Sequence, residues 1–243
     1  MKNRIAGLLI ALLVTVSGVQ AQITLRRESP DGQHYAVAIE RTVTFYADAS
    51  PIPLWSHTVE VPINVVVFSP SGRWLAVSTN NGFMRRGDIT IWDVETGGSL
   101  AAFLGDELGV NVLLFSPDES RLVAAVGDSW LPRSPGIRIW DTTTWAEIPQ
   151  AQNGHGGVMY MTFNSSGDLL AFSERYGVRI MNTSTYEIVS ILHQDSGCLR
   201  FQNDELTVYS GESIDIWAML TQPELHFVRI AQTPSEHAWE CPP

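Results

Sequence analysis

Short apolar runs recur along the chain, each stopped by turn-forming residues and answered at once by a second run. The stretch 64–98 holds the whole unit. Val65-Val66-Val67-Phe68 ends in Ser69-Pro70-Ser71-Gly72, and Trp74-Leu75-Ala76-Val77 follows. After a polar loop, Ile89 and Ile91 alternate with Asp88 and Thr90. Trp92-Asp93 then leads into Glu95-Thr96-Gly97-Gly98. Runs of this length, punctuated by Gly, Pro, Ser and Asn, predict antiparallel hairpins and not helices.

The pattern repeats. First-hairpin turns stand at Ser29-Pro30-Asp31-Gly32, Ser69-Pro70-Ser71-Gly72, Ser116-Pro117-Asp118-Glu119, Asn164-Ser165-Ser166-Gly167 and Gln202-Asn203-Asp204-Glu205. Phe68, Phe115, Phe163 and Phe201 stand just ahead of the last four. A second landmark trails each turn: Phe45-Tyr46-Ala47-Asp48, Ile91-Trp92-Asp93, Ile139-Trp140-Asp141, Ile180-Met181-Asn182 and Ile216-Trp217. Five units of about 40 residues, each with room for four short strands, match the period of a propeller blade. The expected fold is all-β, a β-propeller of about five four-stranded blades. The units run Ile23–Val61, Pro62–Gly109, Val110–Gly157, Val158–Asp195 and Ser196–Gln232.

The Phe-Ser-Pro turns, the Trp-Asp dipeptides and Gly154-His155 ahead of a strand resemble the WD-repeat β-propeller family. The resemblance implies a structural role for Trp92, Asp93, Trp140, Asp141 and Trp217. In that family a His, a Ser or Thr, an Asp and a Trp form a hydrogen-bonded set within a blade. Here only His155 with Ser173 resembles part of it, and Met181 replaces the Trp. Five units are fewer than the seven typical of the family. That leaves a small closed ring, or an incomplete one whose two edges need a partner or oligomer. The small ring is favoured, because apolar edges are a liability.

Residues 1–21 follow a different pattern. Lys2 and Arg4 precede the apolar run Ile5 to Val16, and Val19-Gln20-Ala21 offers a small-residue cleavage site. This is the outline of a secretory signal peptide, with an apolar run shorter than the ~20 residues of a membrane span. A secreted or periplasmic protein is expected, with a propeller domain over 22–232, a C-terminal tail over 233–243 and no membrane attachment after cleavage. Loss of Lys2 and Arg4 takes Lys+Arg from 15 to 13 against 26 Asp+Glu, for a net charge of −13. Such a field repels nucleic-acid phosphate and anionic membranes. Cys198 and Cys241 are the two cysteines. An even pair in an exported chain suggests a disulfide, with two free thiols as the alternative.

Two units carry extra length between their second and third strands. One insert is Asn80-Asn81-Gly82-Phe83-Met84-Arg85-Arg86-Gly87; the other is Asp128-Ser129-Trp130-Leu131-Pro132-Arg133-Ser134-Pro135. In a propeller such hairpins project from the face that also carries the links between blades. Phe83, Arg85, Arg86, Trp130, Arg133 and His155 are therefore expected on one rim. Aromatics and Arg are enriched at binding hot spots, and Arg pairs with carboxylates bidentately. The alternative is that the inserts are merely tolerated loops.

Catalysis finds less support. Asp106-Glu107 is not placed as a carboxylate pair across a cleft. The six His show no close metal-ligand spacing, and neither a nucleophile elbow nor a phosphate loop occurs. No cofactor and no metal are expected. Asn164-Ser165-Ser166 and Asn182-Thr183-Ser184 fit the glycosylation sequon. The sequence thus points to a non-catalytic exported scaffold binding a protein or peptide. The alternatives are an extracellular carbohydrate-active propeller enzyme and a truncated propeller that works only as an oligomer.

Overall fold

The structure, a computed structural model, describes residues 24–80, 87–103, 109–126, 136–149, 157–174, 177–192, 197–202, 205–210, 213–220 and 225–234. These form nineteen strands in five antiparallel sheets. The first sheet holds β1 (Thr24–Glu28), β2 (His34–Ile39), β3 (Thr42–Ala47) and β4 (Pro53–Thr58). The second holds β5 (Ile63–Phe68), β6 (Trp74–Thr79), β7 (Ile89–Asp93) and β8 (Ser99–Phe103). In the third are β9 (Val110–Phe115), β10 (Arg121–Val126) and β11 (Gly136–Asp141). The fourth comprises β12 (Tyr160–Phe163), β13 (Leu169–Glu174), β14 (Gly177–Asn182) and β15 (Ile188–Leu192). The fifth comprises β16 (Cys198–Gln202), β17 (Glu205–Tyr209), β18 (Ser213–Leu220) and β19 (His226–Pro234).

Within each sheet the strands follow chain order. Each sheet falls inside one unit of the sequence repeat, except that β19 runs on to Pro234. The third departs from four strands among the described residues. Its outer position is reduced to a Trp140–Glu147 bridge and a bond from the Ile148 amide to the Ile139 carbonyl (2.8 Å). Pro149 follows at once and has no N–H to extend the ladder.

Opposite each landmark residue stands a fixed partner on the second strand. Tyr46 faces Tyr35, Trp92 faces Leu75, Trp140 faces Leu122, Met181 faces Leu170 and Trp217 faces Leu206. Immediately before Tyr46, Trp92, Met181 and Trp217 the pairing to the outer strand slips by one residue. A bulge at one register in four sheets gives each the same added local twist.

Turn chemistry recurs as closely. The Gly32 amide bonds Ser29 O, Gly72 bonds Ser69 O, Glu119 bonds Ser116 O and Gly167 bonds Asn164 O, closing four-residue turns at 2.8–3.1 Å. The first residue's side chain then accepts the amide five residues on: His34 to Ser29 Oγ, Trp74 to Ser69 Oγ, Arg121 to Ser116 Oγ and Leu169 to Asn164 Oδ1. The Ser29 hydroxyl, then the Gln33 amide, hold the Asp31 carboxyl below the usual carboxylate range. Ser166 and Asn164 do the same at Asp168. At Asp118 burial pushes upward and is outweighed by Ser116 Oγ and the Ser120 amide. Asn164 is 3% exposed with both side-chain atoms engaged, so this sequon is closed to a glycan in the folded chain.

The chain divides into two compact units, with the break between Leu113 and Leu114 in β9. In the first, Ala36, Val43 and Phe45 pack on Val66, Phe68 and Leu75 of the next sheet. Trp55 and His57 of β4 reach across to that sheet. Trp55 Nε1 donates to Val94 O (2.9 Å), His57 Nε2 donates to Gly97 O (2.7 Å), and the His57 ring stacks on Trp92 at 5.2 Å. Gly97 (φ +67°) is required here, because a Cβ would meet Trp55 Cγ at 2.8 Å. In the second unit, Leu169, Ala171 and Ile180 pack on Leu199, Leu206 and Val208. Arg121 Nε donates to Tyr186 Oη (3.2 Å) and Arg121 Nη1 to Asp141 Oδ2 (3.1 Å). Pro30 Cδ would lie 3.5 Å from a Cβ at Gly72, and Pro117 Cδ 3.1 Å from one at Gly167. Thus one turn's proline seats the next turn's glycine in both units.

Ser78 of β6 and Ser173 of β13 occupy the same strand position, and both are fully buried. Ser173 Oγ accepts the Gly197 amide at 3.2 Å, whereas Ser78 Oγ has no hydrogen-bond partner among the described residues. Ser173→Ala is therefore expected to cost about 1–3 kcal/mol by orphaning a buried amide, and Ser78→Ala about zero. Urea denaturation of the two variants checks this; equal losses would show that the Gly197 bond is immaterial.

Candidate functional site

The expected rim residues Phe83, Arg85, Arg86, Trp130, Arg133 and His155 lie outside the described residues, as does Cys241. Their anchorage is described. The first insert leaves Thr79 and returns at Asp88. The Thr79 amide donates to Asp88 O (2.9 Å), and the Asp88 amide donates to Thr79 Oγ1 (3.0 Å). The second insert spans Val126 to Gly136, which are direct register partners at the ends of β10 and β11. Thr79 is 4% exposed and Val126 2%, so each insert hangs from the closed, buried end of a hairpin. The corresponding hairpin of the fourth sheet closes between Glu174 and Gly177, with Arg179 Nε on Glu174 Oε2 at 2.9 Å.

The Trp-Asp landmarks serve packing and turns. Trp92 and Trp140 are buried and Trp217 is half-buried. Asp93 Oδ1 accepts the Thr96 amide and hydroxyl (3.0 and 2.9 Å). Asp141 Oδ1 accepts the Thr143 and Thr144 amides at 3.0 Å, and the Thr144 amide, foremost, holds the Asp141 carboxyl below its usual range. Asn182 repeats the arrangement with the Ser184 and Thr185 amides at 2.9 Å. Trp145 and Tyr186 close these turns at φ +57° and +60°, a left-handed conformation that costs a side chain about 1 kcal/mol.

One further feature lies in the first unit, at the end of the sheets away from the β6–β7 insert. A cavity of about 630 Å³ opens between the first two sheets. Asp31 and Arg73 enter it from the first-hairpin turns, Asp93 and Glu95 from the turn after β7, and His34 and Leu54 from the first sheet. Phe45 is its aromatic floor, stacked on His34 (5.2 Å) and on Trp55 (5.0 Å). Leu54 is 56% exposed at its mouth. Three carboxylates thus face one guanidinium, and Arg73 itself lies 5.4 Å from the Trp74 ring centroid. Sequence reasoning reads Asp31, Asp93 and Glu95 only as turn or structural residues and does not group them with Arg73, since the grouping arises when two turns 40 positions apart are brought together. Among the described residues, no group of three His, Cys, Asp or Glu is placed to hold a metal ion.

No family model matches the chain. Two curated proteins are similar in sequence. Periodic tryptophan protein 2 of Saccharomyces cerevisiae is 27% identical over 161 residues, or 65% of this chain and 16% of that protein. An uncharacterized WD repeat-containing protein of Synechocystis is 26% identical over 156 residues, or 63% of this chain and 41% of that protein. The chain therefore matches less than half the length of either. Among solved structures, a chain of the mitotic checkpoint complex superposes with TM-score 0.67 at 15% identity, covering 87% of this chain and 67% of the other. The β-propeller domain of Myceliophteria thermophila Cps50 (Swd1) gives 0.66 at 16% identity, covering 87% and 72%. The fold is that of a β-propeller with about five four-stranded blades. In sequence the chain is similar to these proteins, one of them described as WD repeat-containing, which agrees with the WD-type pattern of its turns and Trp-Asp dipeptides.

Proposed function

We propose that this propeller is an exported, non-catalytic scaffold that captures a protein or peptide through its two hairpin inserts. The observation that carries the reading is the anchorage of the inserts. The inserts 80–87 and 128–135 each follow a strand, β6 or β10, that is buried along nearly its whole length, which gives them a rigid base. Phe83, Arg85 and Arg86 supply the contacts of one insert and Trp130 and Arg133 those of the other, with His155 in the following link. Arg and aromatic side chains are the residue types that dominate interface energetics. Two propellers of like fold, one of them from the mitotic checkpoint complex, lend support by class.

The same reading places a cleaved signal peptide at 1–21, the propeller domain at 22–232 and a tail at 233–243. It joins that tail to the last blade through a Cys198–Cys241 disulfide. Among the described residues no cysteine is free, which favours the pairing. The test is capture from the extracellular or periplasmic fraction of the source cells, using the mature chain as bait. Trp130→Ala with Arg133→Ala is expected to abolish capture while the melting temperature stays within about 2 °C. Undiminished capture by that variant would overturn the reading, as would its unfolding.

A further inference from the structure

The cavity between the first two blades has a shape and charge that the insert reading leaves unused. We infer that it is a second binding site, taking an extended peptide segment in which a basic residue stands beside an apolar one. Its volume of about 630 Å³ falls within the ~300–1,000 Å³ of ligand pockets and suits two or three residues.

The lining sets the ligand's charge. Asp31, Asp93 and Glu95 line the cavity with Arg73 as its one guanidinium and with His34, whose Nδ1 lies 3.7 Å from Asp31 Oδ2, so carboxylates outnumber the cations at neutral pH. Asp31 and Asp93 are already fixed in place. Asp31 accepts the Ser29 hydroxyl and the Gln33 amide, and Asp93 accepts Thr96. Both carboxylates are therefore preorganised, and each retains a second oxygen that these turn bonds do not use. Preorganised acceptors bind a guanidinium without the cost of ordering their own side chains.

Apolar contact comes from the other wall. Leu54 is 56% exposed at the mouth, and Phe45 is buried at the floor beneath the His34 ring. An aliphatic neighbour of the basic residue would rest on Leu54 and lose water there. The site thus reads charge on one wall and apolar surface on the other, which an acidic or purely polar peptide cannot satisfy.

The experiment uses the blocked tripeptide acetyl-Leu-Arg-Leu-amide, its Leu-Glu-Leu counterpart and arginine amide, titrated into the 15N-labelled mature chain and followed by NMR. The Leu-Arg-Leu peptide is expected to shift the amides of Gly72, Arg73 and Glu95 in a saturable way. The Glu peptide should leave them unmoved, and arginine amide should bind more weakly. Glu95→Gln, which touches no turn bond described above, is expected to weaken binding about fivefold. Leu54→Ser should weaken the tripeptide but leave arginine amide unchanged. Equal shifts from the Arg and Glu peptides, shifts confined to other surfaces, or no saturation would each overturn the inference. Trp130→Ala with Arg133→Ala should leave the Arg-peptide titration unchanged, which separates this site from the insert reading.

Discussion

Trp140→Ala is expected to lower stability by about 3–5 kcal/mol, much of the 5–15 kcal/mol that holds a domain together. The side chain is 1% exposed, among the largest that the fold buries completely. It lies opposite Leu122 on β10, and its backbone carries the bridge to Glu147 that stands in for an outer strand. Truncation would leave a cavity among Leu122, Ile137 and Ile139, which are themselves fully buried and have little freedom to collapse into it. Arg138, whose guanidinium carbon lies 5.3 Å from the Trp140 ring centroid, would also lose its aromatic support. Trp140→Phe should recover more than half of the loss, because it retains most of the apolar volume. Equilibrium urea denaturation of the two variants measures this. A loss below about 1 kcal/mol for Trp140→Ala would mean that the third blade is loosely packed.

Gly197→Ala is the second large effect, at about 3 kcal/mol. The position precedes β16, where its amide donates to Ser173 Oγ in the preceding blade. A methyl group there would press on the Tyr209 carbonyl oxygen, with the carbonyl carbon at 2.7 Å and the Ser210 nitrogen at 3.0 Å. All three are backbone atoms at the end of β17 and the residue after it, so no rotamer change relieves the clash. Either β16 moves and the Ser173 bond is lost, or the hairpin opens. The variant should show a lower melting temperature and faster hydrogen exchange at Leu199 and Phe201. Unchanged exchange with an unchanged midpoint would show that the strands shift at no cost.

The repeat was legible because its signals are local. Ser29-Pro30-Asp31-Gly32 and its kin carry their own hydrogen-bonding scheme within six residues, and the Trp-Asp turns do the same. Even substitutions stayed readable. Asn164 replaces Ser and accepts the same amide, and Asn182 replaces Asp and closes the same turn. What escaped the sequence is whatever joins positions far apart. Trp55 drew no notice and His57 was weighed only as a metal ligand, although both bond to the turn at Val94–Gly97 some 40 residues on. The seating of Gly72 on Pro30 and of Gly167 on Pro117 was hidden likewise. The cavity beside Arg73 and Glu95 arises only from that juxtaposition. The inserts are legible as extra length, because length is a local property, whereas Phe83, Arg85, Arg86, Trp130, Arg133 and His155 themselves lie outside the described residues.

The bulge at one register in four blades has a bearing on ancestry. It fixes where the outer strand bonds through the backbone of its neighbour, on either side of the slipped pair. Side chains of strands such as Ser99–Phe103 and Ile188–Leu192, partly or largely exposed along most of their length, add little to that placement. Within this chain those outer strands accordingly share no recurring pattern, while the inner three strands and their turns repeat the Phe, turn and Ile-Trp landmarks. A profile built on those three strands, blind to the fourth, would reach more distant kin of this chain than one built on whole repeats.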